Sequence, residues 1–186
     1  MKLPIYLYGH PVLRKNAEPI QADYPDLKKF VADMFETMDN SDGVGLAAPQ
    51  VGRTDRIVVI DGNPVAETYP ECAGKRLALI NPELEILEGE EVSRPEGCLS
   101  LPGITEDVKR VENIRLRWRD EDWVEHEEVM TGFLARIVQH ELDHLEGQVF
   151  TDHLSGIRKQ LLRSKLNNIA TGKTRADYPT RTARNR

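Results

Sequence analysis

The run Gly132-Phe133-Leu134-Ala135-Arg136-Ile137-Val138-Gln139-His140-Glu141-Leu142-Asp143-His144 predicts a helix that opens at Gly132 and stops at Gly147. It contains an H-E-x-x-H pattern. At about 100° per residue, His144 lies only about 40° round the helix from His140. Both imidazoles therefore leave one face, one turn apart, and can bind one metal ion. Glu141 and Asp143 flank the pair, so one can face the open side of the ion while the other stands behind a ligand. The same face continues N-terminally as Phe133 and Ile137, both apolar. The histidines are thus expected on a buried or cleft-lining face, where unpaired imidazoles are costly. A helix with two surface histidines is the plainer alternative.

A catalytic ion of this type needs a third protein ligand and an open position. The pattern HExxHxxGxxH would supply a third histidine, but Phe150 stands at that position, although Gly147 is present. A downstream glutamate is the other common solution, and no glutamate follows Glu146. Cys98 is the best remaining candidate, ahead of His153, Asp152, His10 and His126. It lies in Pro95-Glu96-Gly97-Cys98-Leu99-Ser100-Leu101-Pro102-Gly103, a turn-rich stretch able to bend a thiolate towards a metal. Cys72 has no such neighbours and reads as an ordinary loop thiol.

Outward from these segments, residues 1–24 are punctuated by Pro4, Pro11 and Pro19 and read as an extended arm. Leu27, Phe30, Val31, Met34, Phe35 and Met38 form one helical stripe. From residue 57 to about 130 the pattern is that of strands: Ile57-Val58-Val59-Ile60, then Leu77-Ala78-Leu79-Ile80 closed by Asn81-Pro82, then a more exposed piece with Leu84, Ile86 and Val92. Ile114, Leu116 and Trp118 alternate with arginines, the period of a half-buried strand, and residues 123–130 are expected to pair with it. A last helix, about 155–169, starts at Ser155 as N-cap. Residues 171–186 show no periodicity and predict a basic, disordered tail. The fold class is α+β, mostly antiparallel strands around a central metal-binding helix, in a single catalytic domain of residues 1–170.

At 186 residues, the chain is long enough to bury roughly 70% of the surface its unfolded form exposes. It needs no disulfide framework, and two cysteines could not make one. No apolar run approaches the ~18 residues of a membrane span, and residues 1–6 lack the features of a secretory signal. The cytoplasm is the expected compartment, with neither a membrane nor DNA as partner. Charge is uneven. Residues 151–186 carry 9 Lys/Arg against 2 Asp/Glu, whereas the remainder carries 16 against 29. A basic end on an acidic body suits contact with something anionic, although a solvated helix face would look the same.

Three motifs, in order, resemble those of the peptide deformylases: GxGLAxxQ as Gly43-Val44-Gly45-Leu46-Ala47-Ala48-Pro49-Gln50, EGCLS as Glu96-Gly97-Cys98-Leu99-Ser100, and QHExDH as Gln139-His140-Glu141-Leu142-Asp143-His144. The resemblance covers roughly residues 1–165, and the C-terminal helix is similar to that of the bacterial type I enzymes. It implies a hydrolase that removes the N-formyl group from the initiator methionine of nascent chains. It implies further that Cys98, His140 and His144 bind one divalent metal, Fe²⁺ in the family and replaceable by Zn²⁺, Ni²⁺ or Co²⁺. Glu141 would be the general acid/base, and Gln50 with the backbone N–H of Leu99 would hold the developing oxyanion. Gly45 and Gly97 fall at the substrate site. We expect Phe133 and Ile137, with Val44 as a further wall, to form the pocket for the methionine side chain. The basic C-terminal helix is expected to contact the ribosome. Residues 104–107, Ile-Thr-Glu-Asp, are more acidic than in many relatives, and Arg110 matches a family position of structural type. The competing readings are a zinc peptidase or amidase acting on another substrate, and a non-catalytic, metal-containing ribosome-associated module.

Overall fold

The computed structural model describes residues 1–184. The expected helices form as α1 (Leu27–Asp39), α2 (Gly132–Leu145) and α3 (Gly156–Ala170). The strands are β1 (Ile5–Tyr6), β2 (Gly45–Ala47), β3 (Ile57–Asp61), β4 (Arg76–Ile86), β5 (Glu91–Gly97), β6 (Thr105–Val111), β7 (Asn113–Arg119), β8 (Glu125–Thr131) and β9 (Thr180–Arg181). Antiparallel pairing links β2-β3-β4-β7-β8 into one sheet, and β5-β6 form a separate hairpin. Among the described residues no helix is long and apolar enough to cross a membrane.

The unbroken apolar run of β3 has a simple cause: the strand is covered on both faces. Val58 and Ile60 pack with Leu134, Ala135, Ile137, Val138 and Leu142 of α2. Ile57 and Val59 pack with Phe30, Val31, Met34 and Met38 of α1. In β7 the alternation is expressed as predicted. Ile114, Leu116 and Trp118 are buried, while Arg117 and Arg119 stand opposite Glu127 and Glu125 of β8. Cross-strand pairs of opposite charge help to fix that register. The N-cap of α3 is Ser155, whose side chain accepts from the Arg158 N–H at 3.3 Å.

Three expectations are corrected. Asn81-Pro82 does not close a strand; β4 runs through it, with a register shift between Ile80 and Glu83. A bulge tolerates the missing proline N–H, and the Asn81 side chain holds the N-terminal arm through Ile20 N–H and C=O (2.9 and 2.8 Å). Val92 belongs to β5 rather than to that piece. Nor are residues 171–184 a loose tail. β9 pairs with β1 in parallel, Ile5 and Leu7 donate to the carbonyls of Pro179 and Arg181 (both 2.9 Å), and Thr182 is 4% exposed. A two-residue strand has no alternation to read, which explains the miss. Residues 185 and 186 of that expectation lie outside the described residues.

Candidate active site

Two elements deliver the candidate ligands. The helix α2 presents His140 and His144 one turn apart, with ring centroids 5.5 Å from each other. The chain leaving β5 presents Cys98, whose Sγ lies 3.4 Å from His144 Nε2. One ligand atom from each of the three residues falls within 4.8 Å of the others, and this is the only such group of His, Cys, Asp and Glu found among the described residues.

The other histidines are engaged elsewhere. His153 Nε2 lies 2.8 Å from Asp143 Oδ2, His126 Nε2 lies 2.7 Å from Asp120, and His10 Nδ1 accepts from the Val12 N–H. Asp152 pairs with Arg14 at 2.6 Å. Elimination along the sequence and proximity in space therefore choose the same sulfur.

What holds the two elements in register is a buried charge cluster that pattern reading did not find. His140 donates from Nδ1 to Glu96 Oε1 at 2.8 Å, which leaves Nε2 for the centre. Glu96 also accepts from Arg110 (2.7 and 3.0 Å) and from Arg136 (2.6 Å). Arg136, only 1% exposed, reaches Glu112 at 2.8 Å and the carbonyls of Val108 and Val92 at 2.8 and 2.6 Å. The helix is thereby tied to the β5-β6 hairpin at its ligand-bearing face. Arg110 has the structural role expected of it, reaching Asp143 as well at 3.0 Å. The acidic residue Glu106 pairs with Arg158 of α3 at 2.6 Å, so its charge is spent on the C-terminal helix. The available signal for the cluster was Glu96, two residues before Cys98.

The electrostatics follow from burial and neighbours. Burial alone would raise the Glu96 carboxyl, but His140 and Arg110 outweigh it and hold the group well below the usual range. Burial would likewise raise the Cys98 thiol, and the charges of His144 and His140 bring it down instead to about 5. For Glu141 the compensation falls short: burial pushes its carboxyl up to about 7 despite the lowering pull of both histidines. Its Oε2 is buried without a hydrogen-bond partner. A thiolate, two imidazoles and an unpartnered carboxylate oxygen, all drawn together, fit a divalent transition metal with an open coordination position.

The remaining candidates divide. A cleft of about 630 Å³ is lined by Val44, Gly45, Gln50, Gly97, Cys98, Leu99, His140 and Glu141, with residues 175–178 forming another wall. Gln50 is buried, accepts from the Ala47 N–H at 2.9 Å, and directs Nε2 to Cys98 Sγ (3.4 Å) and Ser100 Oγ (3.1 Å). Phe133 and Ile137 do not line the cleft. Ile137 is 4% exposed in the core beneath the sheet, and Phe133 stacks on Tyr69 at 4.1 Å. The apolar face of α2 does continue past the histidines, but it continues into the protein. A larger groove of about 1130 Å³ beside α3 and Tyr8 contains neither thiol nor imidazole.

At Gly45 an added Cβ would sit 2.5 Å from Glu141 Oε1. Gly45→Ala is therefore expected to displace the Glu141 carboxylate and to lower kcat on the order of 10²-fold. Steady-state kinetics beside a thermal melt will separate that loss from unfolding.

Residues 2–160 match the family model described as polypeptide deformylase. The peptide deformylase of Salinibacter ruber is 46% identical over 184 residues, covering 96% of this chain and 94% of its own. That of Cytophaga hutchinsonii is 48% identical over 178 residues, with 96% of each chain covered. Among solved structures, the peptide deformylase from Thermus thermophilus superposes with a TM-score of 0.80 at 36% identity, covering 92% of this chain and 99% of that one.

Proposed function

The chain belongs to the polypeptide deformylase family, and from that premise we propose how its residues divide the family's reaction. It is a metal-dependent hydrolase that removes the N-formyl group from the methionine heading a newly made polypeptide. In our reading Cys98, His140 and His144 hold one divalent cation. The observation that carries this is the convergence of their three ligand atoms beside the unpartnered Oε2 of Glu141. We take Fe²⁺ as the resident ion on family grounds; Zn²⁺, Ni²⁺ and Co²⁺ suit the same donors.

A formamide does not react with neutral water, and a bound cation supplies the Lewis acidity that brings the pKa of water towards neutrality. Glu141 takes the proton of the attacking water on its carboxylate and delivers it to the nitrogen of the leaving methionine. A carboxyl pushed up to about 7 is suited to both halves of that transfer. Gln50 Nε2 and the Leu99 N–H, which donates to no described group, are the donors to the developing oxyanion. Each such donor lowers the barrier by ~3 kcal/mol. Gly45 and Gly97 admit the substrate backbone, and Val44 with Leu99 forms the apolar wall for the methionine side chain.

The decisive test is an anaerobic assay of the metal-loaded protein on formyl-Met and acetyl-Met peptides, with metal content measured on the same sample. Formyl-Met should be hydrolysed at least about 10²-fold faster, because the pocket fits a hydrogen where acetyl places a methyl. Equal rates would return the reading to a general amidase. A non-catalytic role is opposed by Glu141, which a structural metal site would not need. We place the enzyme in the cytoplasm, where nascent formylated chains emerge. We also assign the exposed basic residues of α3, Lys159, Arg163 and Lys165, to ribosome contact. Reversing those three charges to glutamate should abolish salt-sensitive co-sedimentation with ribosomes; unchanged co-sedimentation removes that assignment.

A further inference from the structure

The turn that carries Cys98 and Leu99 is fixed at three successive carbonyls. Cys98 O accepts from the Leu101 N–H at 3.0 Å, and Ser100 O accepts from the Tyr8 N–H at 2.8 Å. Between them, Leu99 O accepts from the Tyr178 hydroxyl at 2.7 Å. Only this middle partner is a side chain, and it comes from the segment beyond residues 2–160, outside the region that the family model matches. The mount is firm. Tyr178 precedes Pro179, which restricts it to extended backbone, and the carbonyl of Pro179 accepts from the Ile5 N–H at 2.9 Å. The Tyr178 ring, like Cys98 and Leu99, also packs against the buried cluster that contains Ile5, Leu7, Leu101 and Ile104.

We propose that Tyr178 is a positioning residue for deformylation: its hydroxyl fixes the Leu99–Ser100 peptide plane and, together with the Cys98 O bond from the Leu101 N–H on the preceding plane, holds the turn that aims the Leu99 N–H at the oxyanion. The inference rests on the reading, given above, that the Leu99 N–H is an oxyanion donor. Without the hydroxyl, Leu99 O stands at the cleft wall with no protein donor and turns to water. The preceding peptide unit, which carries the Leu99 N–H, then keeps only its Cys98 O bond from the Leu101 N–H and loses the fixed neighbour that limits its tilt. Pre-aligned donors stabilise a transition state because they need no reorientation as charge develops.

The test is Tyr178→Phe, which removes one oxygen and keeps the ring packing. Direct loss of an oxyanion donor costs roughly 10²–10³-fold in kcat, so loss of its alignment is expected to cost about tenfold. KM for a formyl-Met peptide, bound metal and thermal midpoint should remain those of the parent, with KM inside twofold. A kcat within twofold of the parent overturns the inference. So does a raised KM at constant kcat, or a fall in kcat that tracks lost metal or a lowered melting point, since these mark substrate binding or ordinary packing. Failure of the underlying reading is distinguishable: the parent itself would then be inactive on formyl-Met peptide, or Gln50→Ala and Glu141→Gln would leave its rate unchanged.

Discussion

Glu141→Gln is expected to lower kcat on formyl-Met peptides by roughly 10²–10⁴-fold with the metal content of the protein unchanged. Glutamine preserves the shape of the side chain between Gly45 and the histidines, where an added Cβ on Gly45 would already collide with Oε1. What it removes is the site that accepts a proton. Because Glu141 lies off the set of three ligand atoms, the cation should stay. Measuring kcat and metal stoichiometry on one preparation separates the two effects. Full activity in the glutamine variant would leave the reaction without its base, and a parallel loss of metal would make Glu141 a ligand instead.

The second large effect is expected at Arg136. Its guanidinium is 1% exposed and meets the carboxylates of Glu96 and Glu112 together with two backbone carbonyls. Removing one partner from a buried ion cluster typically costs about 3–5 kcal/mol, because the charges left behind are neither solvated nor paired. Arg136→Met should therefore lower the unfolding free energy by about that amount in a urea titration. It should also weaken metal retention, since Glu96 orients His140 through Nδ1. A loss below about 1 kcal/mol would mean that Arg110 alone holds Glu96 in place.

Arg136 also shows where sequence reading stops. Along α2 it looks like a polar interruption of an apolar stripe, the ordinary signature of a solvent-facing turn. Its burial depends on Glu96 of β5 and Glu112 in the link between β6 and β7, which align with it only after the β5-β6 hairpin has folded. By contrast, the histidine pair was legible because both members share one helix, and a single angle of rotation fixes their relation. Cys98 was legible by chemistry, as the ligand left when the usual third partners were missing. Phe133 and Ile137 were misassigned because periodicity reports which face a residue occupies, not what that face meets. The helices α1 and α3 and the β7-β8 pairing were readable from local pattern. The clasp of β9 on β1 joins segments with no shared periodicity, and so left no trace in composition.

That clasp joins positions 5 and 180, so it can be made only after residue 180 has been synthesised. Closure over so long a separation is slow relative to local events. The cleft wall at residues 175–178 should thus be the last part of the molecule to assemble. A stalled or prematurely terminated copy would possess every metal donor and still lack one side of its substrate channel.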